Sequence, residues 1–204
     1  IEGVFEKNSL VVLFAPPGTG KTFIAIDMAA SILLGKPWNQ HSVSKSPVVI
    51  VAGEGQRGLV HRVYASCYEK GASKISNLYV SKCPFLLGDE THHGVSDLIQ
   101  EIDRNDDPPG LVVIDTLARN NAGDENSTSD MTRLINSFDR IRVKYGCAVL
   151  IVHHTAKGDQ SQGRGSGALK GAADSEFSIK SKSGFTTLVN TKQKDSEPMD
   201  PIGF

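Results

Sequence analysis

The stretch Leu10-Val11-Val12-Leu13-Phe14-Ala15-Pro16-Pro17-Gly18-Thr19-Gly20-Lys21-Thr22 decides the fold. Its first six residues are apolar with no polar alternation, which predicts a strand buried on both faces. Over residues 22–34 apolar side chains recur at helical spacing, and Gly35 is the expected C-cap. A glycine-rich turn between a strand and a helix is typical of a P-loop, which binds nucleotide phosphates.

Each residue type in this turn suits phosphate binding. Glycines let backbone N–H groups approach phosphate oxygens, and the following helix adds a favourable dipole. Lys21 is expected to reach the β- and γ-phosphates, and Thr22 to hold Mg²⁺ through its hydroxyl. Ala15 stands where a glycine is usual, which narrows the allowed backbone angles. The motif predicts that ATP and Mg²⁺ bind here, and the candidate nucleotide-binding residues are Pro17, Gly18, Thr19, Gly20, Lys21, Thr22 and Phe23.

The rest of the chain alternates short apolar runs with helical patterns. Further buried strands are predicted at 48–52, 111–115 and 148–152, and helices at 59–70, 95–103 and 131–145. This alternation predicts an α/β fold whose mostly parallel central sheet has helices on both faces. Two more strands, 176–180 and 185–190, are joined by Ser181-Lys182-Ser183-Gly184, which predicts a C-terminal β-hairpin. Residues 1–204 are predicted to form a single domain, and the abrupt ends of the sequence suggest a piece of a longer protein.

Composition excludes several classes of protein. The 22 basic and 23 acidic residues give a net charge of −1, which excludes a general nucleic-acid-coating role. The apolar runs are far shorter than the roughly 18 residues that a membrane span requires. Three cysteines with no Cys-x-x-Cys spacing favour a reducing compartment. We therefore expect a cytoplasmic protein with no membrane partner.

Acidic residues and histidines follow the other predicted strands. Asp115 ends a buried strand, expected to lie beside the P-loop strand, where it would act on Mg²⁺ from the second shell. Glu54, between two glycines, is a candidate general base for water and a candidate metal ligand. His153 and His154 end another strand and must point in opposite directions, so one of them is a candidate γ-phosphate contact.

Together these motifs resemble those of RecA-like ATPases, and most closely the RepA-type hexameric replicative helicases of plasmids and phages. The resemblance covers nearly all of residues 8–182. Beyond the P-loop, it rests on Ala52-Gly53-Glu54-Gly55 with His61-Arg62, on Val113-Ile114-Asp115-Thr116-Leu117-Ala118-Arg119, on His153-His154-Thr155-Ala156-Lys157-Gly158 and on Arg164-Gly165-Ser166-Gly167-Ala168-Leu169.

The resemblance implies roles for individual residues. It makes Glu54 the general base, places Arg62 with the bound nucleotide, and makes His154, or else His153, the γ-phosphate sensor. It also implies a hexameric ring with ATP between subunits. A neighbouring subunit would then supply a cation to the transition state, for which the candidates are Lys180, Lys182 and Arg164.

The resemblance further implies that residues 120–129 and 157–167 contact single-stranded DNA. Lys157 and Arg164 suit phosphate contacts, whereas Asp124, Glu125 and Asp130 would repel phosphate. Neither loop has an aromatic residue, so base stacking is not expected. A primase or an origin-binding domain is a possible partner.

Three other functions share the P-loop. A RecA-like recombination or repair ATPase would use every catalytic residue considered above. A regulatory nucleotide-binding module would turn over slowly, which the presence of Glu54 and Asp115 disfavours. A small-molecule kinase would need an arginine-rich lid, where this chain has a Gly/Ser/Gln loop.

Overall fold

A computed structural model describes residues 1–53, 55–89, 91, 93–105, 107–156, 161–182 and 184–204. None of the helices in this part of the chain is long and apolar enough to cross a membrane. The strands are β1 Leu10–Ala15, β2 Val48–Ala52, β3 Leu78–Val80, β4 Leu111–Asp115, β5 Ala148–His154, β6 Ser175–Lys182, β7 Phe185–Gln193 and β8 Ile202–Gly203. The helices are α1 Lys21–Leu34, α2 Gln56–Glu69, α3 Gly94–Asp103, α4 Leu117–Asn120, α5 Thr128–Tyr145 and α6 Ala168–Ala172.

Within the described residues, these strands form one sheet in the order β3-β2-β4-β5-β1-β6-β7-β8. The pairs from β3 to β6 are parallel, whereas β7 runs antiparallel to both β6 and β8. The mostly parallel α/β architecture is therefore confirmed. One expectation was wrong, because β5 lies between β1 and β4 and Asp115 is not on the strand next to the P-loop strand.

Helices cover both faces of the sheet, as predicted. Alternate residues of each central strand point to opposite faces, so one strand contributes to two cores. On one face, Leu13, Val113 and Leu150 pack with α1 and α2. On the other, Phe14 and Ile151 pack with α3, α5 and α6. Burial of each large apolar side chain contributes about 1.5–3 kcal/mol to the stability of the fold, so both cores stabilise the central sheet.

The predicted elements match most closely where the sequence carries strong signals. The bounds of β1, β2 and β4 agree with the prediction, and α1 ends at Gly35, whose φ is 67°. The prediction missed β3, β8, α4 and α6, each of which has at most five residues. Such short segments hold too few residues for a periodic pattern.

Candidate nucleotide-binding site

The P-loop forms an open cradle at the carboxyl end of β1. Gly18 and Gly20 have φ values of 77° and 90°, which favour glycine, and a methyl group on either would meet no atom within 4 Å. Thr19 Oγ1 donates a hydrogen bond to the Pro16 carbonyl at 2.7 Å, which stabilises the turn from inside. Gly20 caps α1 with no side-chain hydrogen bond. The first backbone N–H groups of α1 have no partner within the helix, as an anion-binding loop requires.

Lys21 is buried and already directed at the cradle. The residue is only 6% exposed, and its Nζ donates hydrogen bonds to the Ala15 carbonyl at 2.9 Å and to the Pro16 carbonyl at 2.8 Å. Burial lowers the pKa of Lys21, and the nearby Asp115 carboxylate partly opposes that shift. Thr22, the candidate Mg²⁺ ligand, is partly exposed at the next position. The loop thus holds a cation and a hydroxyl in the order that a triphosphate with its metal requires.

Asp115 lies at the end of β4 on the same face of the sheet as α1. Leu111 and Val113, four and two residues earlier, pack in the core beneath α1, and side chains alternate along the strand. The Asp115 residue is 8% exposed. Its negative charge acts to raise the pKa of Lys21, although β5 lies between β4 and the P-loop strand β1. Asp115 therefore lies on the α1 face of the sheet, close enough to Lys21 for the two charges to interact.

The two histidines at the end of β5 lie on opposite faces, as predicted. His154 follows Leu150 and Val152 on the α1 face and is the register partner of Ala15, where the P-loop begins. Its Nδ1 is buried and has no hydrogen-bond partner among the described residues. Burial, and then the charge of Lys21, lower its pKa. His154 is thus the histidine placed beside the phosphate cradle.

His153 lies beneath the opposite face. It is 1% exposed, and its Nε2 lies 2.7 Å from the Arg164 carbonyl. A carbonyl only accepts, so Nε2 carries the proton. Burial lowers the pKa of His153, which favours the neutral ring. This geometry gives His153 a structural contact with the segment after β5.

Beside the cradle, Phe23 and Arg62 line one cavity of about 440 Å³. The Arg62 guanidinium lies over the Phe23 ring, 5.4 Å from its centroid, so the two candidate nucleotide-binding residues contact each other. Among the lining residues that sequence reasoning missed, Thr186 and Phe204 come from the far end of the chain. They reach the cavity through the pairing of β7 with β8, for which the local sequence carries no signal.

The candidate trans-acting cations differ in their surroundings. Lys180 and Lys182 are exposed near the end of β6. Arg164 instead pairs within its own chain, with Nε 2.5 Å from Glu125 Oε2. Glu54 lies outside the described residues, as do residues 157–160 of the second candidate DNA loop. The neighbouring Gly53 is described, and its N–H donates to the Asp115 carbonyl at 2.7 Å.

Two of the three acidic residues after β4 are paired with arginines of the same chain. The Glu125 charge is paired with Arg164. Asp130 forms an ion pair with Arg133 and accepts a hydrogen bond from the Asp124 N–H, and these contacts lower its pKa. Of the predicted acidic group, Asp124 remains the exposed member. Its carboxylate accepts hydrogen bonds from the backbone and side chain of Asn126.

Fold and site together define a P-loop ATPase-type domain, in which a glycine-rich cradle, a buried lysine and a carboxylate meet at the edge of a mostly parallel sheet. A family model, AAA_25, described as an AAA domain, matches residues 1–160. The chain belongs to this family, whose members have an ATP-binding, hydrolase-type domain. The match spans β1 to β5 and so includes the cradle, Asp115 and both histidines.

Proposed function

We propose that the chain is an ATP-hydrolysing motor domain that acts on DNA, most like a RepA-type replicative helicase of a phage, plasmid or other mobile element. One observation carries the proposal. Lys21, Asp115 and His154 lie at the carboxyl edge of the sheet, and β4 and β5, which precede the two candidate DNA segments, end at that same edge. Ligands of open α/β sheets bind at this edge, so hydrolysis and DNA contact would be neighbours.

The chemistry follows from the residues around the cradle. Lys21 and the backbone N–H groups would hold the triphosphate, while Thr22 and Asp115 would hold Mg²⁺. When bound, Mg²⁺ would neutralise charge that develops on the phosphate oxygens. Glu54 would take the proton of the attacking water. A neutral His154 still carries one N–H, enough to donate a hydrogen bond to a γ-phosphate oxygen.

The assembly we propose is a hexameric ring of the RecA-like type. Lys180 and Lys182 are exposed on β6, which extends past the P-loop strand, and this position supports a role across a subunit boundary. Arg164 fits that role less well because Glu125 of the same chain pairs with it. In this proposal Lys180→Ala with Lys182→Ala lowers turnover and spares nucleotide binding. Lys74→Ala, at an exposed lysine away from the cradle, is the matched control.

Steady-state ATP hydrolysis with and without single-stranded DNA tests the proposal. We expect DNA to stimulate hydrolysis, and Lys21→Ala to lower turnover by about 100-fold or more, since the variant removes a charge aimed at the transition state. Turnover that survives in Lys21→Ala would overturn the site. Slow turnover that DNA does not change, in protein shown by sizing to assemble with ATP, would favour a regulatory nucleotide-binding module.

Two further measurements separate the finer alternatives. Glu54→Gln should bind ATP but barely hydrolyse it, and normal turnover would refute the choice of general base. Unwinding of a duplex with a single-stranded tail distinguishes a helicase from a recombination or repair ATPase. Strand pairing without unwinding would favour the recombinase.

A further inference from the structure

Arg164 contacts two separate parts of the molecule at once, the end of β5 and the segment after β4. We infer that Arg164, through its ion pair with Glu125, is a positioning residue that holds residues 161–166 to the segment after β4 and to the histidine pair, so that they move as one unit. The consequence for catalysis rests on the proposed function, whereas the contact itself does not.

The backbone of Arg164 is bonded to the end of β5 on both sides. Its N–H donates to the His154 carbonyl at 2.8 Å, and its own carbonyl accepts from His153 Nε2 at 2.7 Å. Thr155 and Gly163 form an isolated bridge just before it. The returning end of the second loop is therefore fixed to the strand that carries the candidate γ-phosphate sensor.

The side chain of Arg164 reaches the other loop. Its Nε lies 2.5 Å from Glu125 Oε2, and the Glu125 side chain is only 11% exposed. This hydrogen bond raises the pKa of the Arg164 guanidinium. The side chains of this pair are 37% and 11% exposed, against 58% and 21% for the Arg133–Asp130 pair, so solvent screens it less.

Backbone contacts reinforce the ion pair. Ser166 donates its N–H to the Glu125 carbonyl at 2.8 Å. A methyl group on Gly165 would overlap that same carbonyl, so the two loops touch where glycine has no side chain. The hydroxyls of Thr128 and Ser166 lie 3.4 Å apart. The contact therefore continues from residue 164 to residue 166.

A displacement at His154 would pass along this chain of contacts. His154 bonds Arg164 through its carbonyl, and Arg164 bonds Glu125, which lies in the other candidate DNA loop. Nucleotide contact at His154 and DNA contact at residues 120–129 would then be linked energetically. By reciprocity, each ligand would change the affinity for the other by the same factor.

Amide hydrogen exchange on the ligand-free chain tests the contact. In Arg164→Ala and in Glu125→Ala we expect the Ser166 amide and the amides of residues 121–129 to exchange at least 5-fold faster. Arg133→Ala removes an ion pair to Asp130 in the same region but no contact to the second loop, and it is the control. Unchanged exchange in Arg164→Ala, or an equal increase in Arg133→Ala, would overturn the inference.

A double charge reversal and a conservative variant distinguish loss of this ion pair from a general folding defect. Glu125→Arg combined with Arg164→Glu should restore slow exchange relative to either single reversal, because the pair is re-formed with opposite polarity. Glu125→Gln keeps a hydrogen-bond acceptor and should lie between wild type and Glu125→Ala. Equal exchange in the double and single reversals would refute a specific ion pair.

A non-hydrolysable ATP analogue tests the coupling, at concentrations that saturate each variant. In wild type the analogue should alter exchange over residues 121–129, and in Arg164→Ala that change should be lost. An equal response in both proteins would refute the coupling. If the analogue fails to bind wild type, the proposed function fails, while the ligand-free exchange still decides whether Arg164 joins the loops.

Discussion

Two glycine-rich turns leave the same edge of the sheet and use glycine for opposite purposes. In the P-loop, Gly18 and Gly20 adopt positive φ and face empty space. After β5, Gly165 also has a positive φ, of 91°, but it lies against the Glu125 carbonyl of its own chain. The first turn is shaped to receive a ligand and the second to receive another loop. Positive φ alone therefore does not mark a binding site; the space beyond the glycine decides.

The largest effect that we predict in this comparison is on stability, at the closed turn. Gly165→Ala should lower the free energy of unfolding by about 2 kcal/mol or more, because a left-handed backbone costs about 1–2 kcal/mol and the methyl group meets a backbone oxygen that cannot rotate away. Denaturant unfolding measures it. A loss below about 0.5 kcal/mol would show that the two loops are not held together there.

The open turn should lose ligand affinity together with some stability. Gly20→Ala keeps the left-handed strain of about 1–2 kcal/mol, but its methyl group meets no protein atom and takes up open space at the P-loop. We expect ATP affinity to fall at least about 10-fold, roughly 1.4 kcal/mol.

Fluorescence of Trp38, the single tryptophan, can report this binding. Its Nε1 donates to Asp27, which lines the cavity, and its ring lies 6.2 Å from that of Phe204. Affinity within 2-fold of wild type in Gly20→Ala would mean that phosphate does not enter the cradle. Gly165→Ala, assayed in parallel, separates lost affinity from lost stability.

The sequence could predict the open turn but not the closed one. The P-loop lies between a continuous apolar strand and a helix ended by Gly35, so each local signal agrees with the next. Glu125 and Arg164 are separated by 39 positions, and no periodic pattern links two polar residues in different loops. Alternation along β5 could predict that His153 and His154 diverge. Only the packing of α1 shows which of them faces the cradle.

For the same reason, the sequence could not predict the order of the strands. Residues 111–115 and 148–152 are both buried apolar runs that pair with strands on either side, so nothing local decides which lies next to β1. The insertion of β5 depends on the complete sheet, and it moves His154 next to the P-loop and Asp115 one strand further away.

The histidine pair gives a smaller effect that depends on pH. Burial lowers the pKa of His153 and of His154 from 6.5, so the unfolded chain binds protons at a higher pH than the folded chain does. Stability is therefore full above about pH 7 and falls as the pH drops below 6.5, by at most about 1.4 kcal/mol per pH unit for each histidine.

The check is to compare unfolding free energies at pH 7.5 and pH 5.5 in wild type and in His153→Gln. The glutamine amide can still donate to the Arg164 carbonyl but does not titrate. We expect it to reduce the loss on acidification by about 1 kcal/mol. An identical loss in both proteins would mean that His153 is not the buried group responsible.

The smallest effect is predicted at Gly167, two residues from the closed contact. Gly167 has φ −62°, a value that any residue adopts, and a methyl group there would meet no atom within 4 Å. Gly167→Ala should therefore leave the unfolding free energy unchanged or raise it by about 0.4–1 kcal/mol, because alanine restricts the unfolded chain. Gly165→Ala and Gly167→Ala, measured together, compare two glycines of one segment. The two differ in φ and in whether another atom lies where a methyl group would stand. Equal destabilisation by both substitutions would mean that the segment tolerates no added atom, and the distinction between an open and a closed turn would lose its basis.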